Sequence, residues 1–121
     1  MARLGLRSGL LAIAGGLGAT AVMAAAAAAH GPLASDLATT ASHFQLFHAL
    51  ALAIAALAPL PAWGHKAAAI LFPVGTLCFA GGLYSLAWQG VSWGPVVPLG
   101  GSLLILAWLS FAVAGLKSRF S

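Results

Sequence analysis

Apolar residues run along the chain in four long blocks, and prolines, charges and polar side chains fall between the blocks. The blocks cover about 8–29, 42–60, 67–88 and 95–116. Each has the length of about 20 residues that a helix needs to cross a bilayer. None shows the strict apolar–polar alternation of a membrane β-strand. The pattern therefore predicts four transmembrane helices.

Prolines support several of these boundaries. Pro59 and Pro61 end the second block, because proline cannot continue a helix and disfavours helical backbone in the residue before it. Pro95 suits the first turn of the fourth helix, where its missing N–H group leaves no bond unmade. Pro73 lies inside the third block, where it removes a hydrogen bond to the carbonyl of Ala69 and predicts a kink.

Three short connections join the blocks, at about 31–41, 61–66 and 89–94. Short connections force neighbouring helices to run antiparallel. We therefore predict an all-α, up-down four-helix bundle that forms one transmembrane domain over 1–121. Within 31–41, the spacing of apolar and polar residues is compatible with a short amphipathic helix lying on the membrane surface, and the alternative is a solvated face over an interfacial loop.

The composition excludes other classes of protein. Hydrophobic residues make up 62% of the chain and charged residues 5%, against about 25% charged residues in ordinary soluble domains. The mean hydropathy is +1.05. A soluble globular domain would lack the polar surface that it needs, and a disordered chain requires low hydrophobicity and high charge.

The basic residues predict the orientation. They are Arg3, Arg7, Lys66, Lys117 and Arg119, and in the predicted topology all five fall at one end of the bundle. The positive-inside rule then places both termini in the cytoplasm. The five residues form no continuous basic stripe of the kind that binds phosphate backbones, so we expect no nucleic-acid partner.

The first block also resembles a secretory signal peptide. Arg3 and Arg7 precede an apolar stretch that ends in six alanines, and cleavage after Ala29 would make His30 the new N-terminus. The uncharged stretch at 8–29 is, however, longer than a signal h-region and long enough to span. We therefore predict that it is retained as a helix.

Small residues recur at helical spacing and predict close helix contacts. They are Gly15, Gly16, Gly18, Ala21 and Ala25 in the first helix, Cys78, Gly81, Gly82 and Ser85 in the third, and Gly100 and Gly101 in the fourth. Packing within the chain is the first interpretation. The alternative is a surface that contacts another subunit.

Four polar residues collect toward the predicted outer end: His30, Gln45, His48 and Tyr84. His48 lies inside the second helix, and Gln45 precedes it by three residues on the same face. Ionisable residues within membranes are costly and mark functional sites by default, so these four form a candidate cofactor-binding site. The alternative is a neutral histidine that locks helices together through hydrogen bonds.

The sequence lacks the usual groups for catalysis or metal binding. Asp36 is the only acidic side chain, so paired carboxylates are absent and no Ser–His–Asp set is credible. His43 and His48 are five residues apart and do not converge on a helix. We therefore expect no enzymatic activity and no metal site, and the sequence identifies no cofactor.

Motifs in a fixed order support a family resemblance. They are Ala-Ala-His-Gly-Pro-Leu at 28–33, Phe-Gln-Leu-Phe-His-Ala-Leu-Ala-Leu at 44–52, Cys-Phe-Ala-Gly-Gly-Leu-Tyr-Ser-Leu at 78–86, Val-Pro-Leu-Gly-Gly at 97–101 and Ala-Trp-Leu at 107–109. The chain resembles the small bacterial inner-membrane family of unknown function that includes YgdD and YwdK. It departs from the family pattern at Phe44, Val97 and Ala107, where the family has Tyr, Thr and Gly. The resemblance implies four spans and a multi-pass inner-membrane location, but no reaction.

These observations favour a non-enzymatic accessory or scaffold subunit of a larger inner-membrane complex, for example a respiratory or energy-transducing one. Its expected partners are the lipid bilayer and either another membrane protein or further copies of itself. The alternative is a ligand-binding or transport protein, in which the outer-facing His/Gln/Tyr site takes a metal, a quinone or haem.

Overall fold

The computed structural model describes the backbone of residues 2–120 and the side chains of residues 5–120, and all regular structure in this part is helical. The long helices are α1 (Ala2–Ala29), α2 (Asp36–Leu57), α3 (Ala62–Tyr84) and α4 (Val96–Leu116). A 3₁₀ turn, Gly31–Leu33, precedes α2, and a π-helical turn, Ser85–Gln89, continues α3. All four long helices are apolar enough to cross a membrane, which confirms the all-α membrane fold.

The start of α2 differs from the sequence prediction. The helix begins at Asp36 because the Ser35 hydroxyl accepts a hydrogen bond from the Ala38 backbone N–H at 3.1 Å and caps the first turn. The chain then stays helical to Leu57. The separate surface helix predicted within 31–41 is therefore wrong, because those residues divide between the 3₁₀ turn and the first turns of α2.

The boundaries of α3 also differ from the prediction. Pro61 occupies the cap position, so α3 begins at Ala62 rather than 67 and the turn after α2 is very tight. The helix continues through Pro73 to Tyr84. Beyond it, the π-helical turn ends at Gly90, whose left-handed φ of +69° suits glycine.

The helices pack in chain order, with α1 against α2, α2 against α3, and α3 against α4. The core is built largely of alanine, together with a few larger side chains such as Leu52 and Phe72, which are fully buried. In the described residues, α1 and α4 pack far less against one another than these neighbouring pairs do. Much of the surface of these two helices is consequently free to contact lipid or another protein.

The two ends of the bundle have different chemistry. At one end, the Arg119 backbone N–H donates to the Pro59 carbonyl at 3.1 Å, which holds the chain end against the α2–α3 turn. Arg7 and Lys66 lie at this same end, whereas the side chain of Arg3 lies outside the described residues. At the other end, the Trp88 indole N–H donates to the Leu33 carbonyl at 2.9 Å. The common location of the described basic residues agrees with the predicted topology, and which side of the membrane they face stays a prediction.

Glycines in α3 and α4 allow these two helices to approach closely. A Cβ atom on Gly100 would collide with the Phe79 backbone nitrogen and the Cys78 side chain, and one on Gly82 would collide with Val97. The predicted packing of small residues within the chain is therefore correct for α3 and α4. It is wrong for Gly15, Gly16 and Gly18, because a Cβ on any of these α1 glycines would meet no neighbouring atom within 4 Å.

Candidate functional site

A hydrogen-bonded group centred on Gln45, which we call the Gln45 cluster, joins three helices. The Gln45 Nε2 atom donates to the Leu17 carbonyl at 2.9 Å and to the Thr20 hydroxyl at 2.7 Å, both on α1. The Tyr84 hydroxyl on α3 donates to Gln45 Oε1 at 2.7 Å. The buried amide therefore uses both of its N–H donors and its oxygen, and the cluster holds α1, α2 and α3 together.

A second group, the His48 cluster, joins α2 to α4. The Trp108 indole N–H donates to His48 Nε2 at 3.1 Å. Because an indole nitrogen only donates, Nε2 must carry the lone pair, and the ring proton lies on Nδ1. Nδ1 then donates to the Phe44 carbonyl at 2.5 Å. His48 is therefore a neutral imidazole with both nitrogens engaged.

Aromatic rings surround the imidazole of His48. The Phe44 ring is stacked on it with a centroid distance of 6.0 Å, and the Trp108 ring meets it edge-on at 5.9 Å. Phe72, which is fully buried, lies 6.1 Å away and also packs edge-on against Trp108 at 5.4 Å. Edge-to-face packing adds to the favourable burial of aromatic area, so the cluster fixes the histidine ring in one orientation.

The structure divides the four predicted site residues among three places. Gln45 and Tyr84 are hydrogen-bonded to each other, whereas His48 is bonded to Trp108 in a different cluster. His30 is exposed at the end of α1, and its side chain forms no hydrogen bond with the other three in the described part of the chain. That part also contains no group of three His, Cys, Asp or Glu side chains able to hold a metal ion.

Sequence reasoning missed the roles of Thr20 and Trp108. A signal for both was present, because a polar side chain inside a membrane span must find a partner within the protein. Trp108 carries an N–H group in the middle of the fourth span, and His48 offers an acceptor in the second. The sequence could not show that the two meet, since 60 positions separate them and the contact depends on how α2 and α4 are rotated.

A lateral groove of about 870 Å³ lies between α2 and α4, and we call it the α2–α4 groove. His48, Phe79, Gly101 and Trp108 line it, together with large apolar side chains of both helices. Two of these side chains, Phe47 and Ile105, are 57% and 62% exposed, so the groove opens toward the surrounding lipid. Of the four predicted site residues, His48 alone contributes to it.

Comparison with known proteins gives a family but no activity. The family model described as "Protein of unknown function (DUF423)" matches residues 24–101, a range that includes both Gln45 and His48. A "UPF0382 membrane protein" of Haemophilus influenzae is 33% identical over 86 residues, and the match covers 66% of this chain and 66% of that protein. The chain thus matches just under two thirds of that relative's length. No solved structure matches the chain.

Proposed function

The chain belongs to the DUF423 family of proteins of unknown function, and we propose that it is a non-enzymatic accessory subunit that packs against a transmembrane helix of a larger complex. It is a multi-pass protein of the bacterial inner membrane. The observation that carries the proposal is an exposed face of α1 made of small residues. The lack of an uncommitted catalytic group in the two polar clusters supports the non-enzymatic part.

The α1 small-residue face consists of Gly5, Gly9, Ala12, Gly16 and Ala19, all of which are exposed. Their spacing alternates between four and three residues, which places them on one side of a helix. The buried residues of α1, among them Leu10, Ala14 and Ala21, lie on the opposite side and pack toward the core. The small-residue face therefore points away from the rest of the chain.

Glycine destabilises a helix relative to alanine, so we expect a favourable contact to offset this loss of free energy. A glycine is about 1 kcal/mol less favourable than alanine in a helix interior. In α3 and α4 the close approach at Gly75, Gly82 and Gly100 requires the missing Cβ. At Gly9 and Gly16 no atom of the described residues lies within 4 Å of an added Cβ, so no such contact requires it. Small residues let the backbones of membrane helices come together, so a partner helix on this face would explain them.

The polar groups favour a structural role. Asp36, the only acidic side chain, is exposed at the start of α2. The nitrogens of His48 and the amide of Gln45 are already hydrogen-bonded within the chain. An acid–base catalyst needs a group that is free to take up or release the proton it transfers, and in both clusters these atoms are already hydrogen-bonded within the protein. This arrangement supports the non-enzymatic part of the proposal.

The test is native mass spectrometry of tagged protein, expressed at its natural level and gently extracted from its own membranes. We expect release with a larger complex in a fixed ratio. Gly16→Leu should abolish this association, because its side chain fills the small-residue face. The matched control is Val22→Leu, on an exposed side of α1 outside that face, and it should keep the partner.

Thermal unfolding of the two variants shows whether each still folds. Both should unfold near the wild-type temperature, because no described atom lies within 4 Å of a Cβ placed on Gly16 and because Val22 is 59% exposed. Release of the wild-type protein only as a monomer, or only as a homo-oligomer, would overturn the proposal. Equal loss of the partner in both variants would show that the α1 small-residue face is not the contact.

A second candidate function is the binding of a lipid-soluble ligand, such as a quinone, in the α2–α4 groove. The volume of about 870 Å³ falls within the roughly 300–1,000 Å³ of small-molecule sites. The groove opens toward lipid, and His48 and Trp108 would contact an occupant. The same mass spectra test this function, since a ligand would appear as a fixed additional mass that is lost on His48→Ala.

A further inference from the structure

A second concave surface lies at the end of the bundle that holds the start of α1 and the residues after α4. This surface, which we call the basic crevice, has a volume of about 350 Å³. Its basic side chains are Arg7 near the start of α1, Lys66 in the first turns of α3, and Arg119 after α4. Three separate parts of the chain thus contribute one cation each.

No acidic side chain lies near these three cations. The one acidic side chain is Asp36, at the first position of α2. The crevice lies at the opposite end of that helix, where Ala56 contributes to its lining. At 1.5 Å per residue, α2 separates Asp36 from the crevice by about 30 Å. The one acidic side chain of this protein therefore lies too far away to neutralise the crevice.

Two contacts with the α2–α3 turn hold the crevice in shape. The Arg119 backbone N–H donates to the Pro59 carbonyl at 3.1 Å. The His65 Nε2 atom donates to the Ala58 carbonyl at 2.8 Å. These bonds fix two of the lining residues to adjacent positions of one turn. The basic groups are therefore brought together by the fold rather than by nearness in sequence.

The remaining lining of the crevice is apolar. Leu10 and Leu60 line it and are 4% and 3% exposed, and Leu6, which also lines it, is 46% exposed. A phospholipid presents the same combination, a phosphate joined to apolar chains. The crevice also lies where membrane helices end, which is the depth of the lipid headgroups. Basic pockets between transmembrane helices bind anionic headgroups in this way.

We propose that the basic crevice binds the headgroup phosphate of an anionic glycerophospholipid, with Arg7 and Arg119 as the main phosphate ligands and Lys66 as a supporting charge. Arginine suits this role because its planar guanidinium donates two parallel hydrogen bonds to phosphate oxygens. The apolar lining favours a lipid over free phosphate, since a soluble anion gains nothing from Leu6 or Leu10. This role is independent of any partner on α1.

The test uses the full chain in bilayers of phosphatidylethanolamine and phosphatidylglycerol. After gentle extraction, native mass spectrometry counts the lipids that stay bound. We expect selective retention of phosphatidylglycerol. Arg119→Gln should weaken retention about fivefold, as expected for the loss of one basic group near the surface. Arg7→Gln together with Arg119→Gln should weaken it further.

Lys117→Gln is the matched control, because it removes one positive charge two residues from Arg119 and lies outside the crevice. It should leave phosphatidylglycerol retention unchanged. Thermal unfolding of each variant confirms that the fold is kept. Equal loss in Lys117→Gln and Arg119→Gln would overturn the site, as would equal retention of the two lipids. Binding of inorganic phosphate in detergent with the same affinity would overturn the lipid as its occupant.

Discussion

At the scale of single residues, the bilayer determines how His48 and Gln45 are used. Neither side chain has water to bond inside a span, so each must find all its partners in the protein. His48 finds them in Trp108 and the Phe44 carbonyl, and Gln45 finds them in Thr20, Tyr84 and the Leu17 carbonyl. The predicted alternative of a histidine that locks helices together therefore agrees with the observed bonds.

A double-mutant cycle on His48 and Trp108 measures this lock. We expect His48→Leu and Trp108→Phe each to lower the free energy of unfolding, because each leaves a polar group unpaired in an apolar setting. Their coupling should be about 1 kcal/mol, within the range for hydrogen bonds between membrane helices. Thermal or denaturant unfolding in mild detergent gives the four values.

The matched control for Trp108 is Trp63, which is 43% exposed near the start of α3. Trp63→Phe combined with His48→Leu should give additive losses, because distant sites are independent. Additivity at Trp108 as well would contradict the lock.

The Gln45 and His48 clusters were only partly predictable from the sequence. Three of their residues could be identified, namely Gln45, His48 and Tyr84. A polar group buried inside a span is costly unless it bonds to another group of the protein or serves a function. Their partners could not be identified, because Thr20 and Trp108 meet them only when α1 and α4 are rotated as the structure shows. No local pattern in the sequence encodes that rotation.

At the scale of elements, the two outer helices differ in how they use glycine. In α4, Gly100 lies against the backbone of α3, and its missing Cβ sets the distance between the two helices. In α1, Gly16 faces outward with open space around it. Hydropathy predicted all four helices because span length and composition are local properties. It could not distinguish the two kinds of glycine, since both occur in equally apolar surroundings.

Alanine substitution separates these two roles. Gly100→Ala should destabilise the protein by about 1–3 kcal/mol, because the new methyl group overlaps the Phe79 backbone nitrogen. Gly16→Ala should leave the isolated protein unchanged or up to about 1 kcal/mol more stable, through better helix propensity. Unfolding in detergent measures both. Similar losses in the two variants would contradict this account of α1 packing.

Helix boundaries show a second limit of sequence reasoning. The continuous apolar run predicts that the second helix begins at Ser42. The helix instead begins six residues earlier, because the Ser35 hydroxyl caps it. A capping hydroxyl determines where a helix begins even when the next residues are polar. Hydropathy does not register such a cap, since it measures only how apolar each residue is.

At the scale of the whole molecule, the distribution of charge predicts the orientation. The described basic side chains lie at or near the end of the bundle where α1 begins and α4 ends, and Asp36 lies at the other. We expect a fusion of green fluorescent protein to the C-terminus to fluoresce and a fusion of alkaline phosphatase there to be inactive. Both results place the C-terminus in the cytoplasm.

Fusions after Ser92, in the connection between α3 and α4, serve as the control and should give the opposite pair of results. An active phosphatase at the C-terminus would reverse the assigned orientation. The lipid site would then lie in the outer leaflet, while the contacts that form the crevice would stay the same. The fusion experiment and the lipid-retention experiment thus test separate properties of the molecule, its orientation in the membrane and its lipid site.

The two hydrogen bonds of the His48 ring also bear on the proton-motive force across the inner membrane. A histidine inside a membrane protein can relay protons when one ring nitrogen accepts a proton and the other releases one. Here Nε2 is occupied by the Trp108 N–H, and the Nδ1 proton is held by a backbone carbonyl of the same helix. Among the described residues, a proton could pass through this ring only after one of these two bonds breaks. We therefore expect these two bonds to oppose a proton leak through the ionisable group that the bundle carries in its interior.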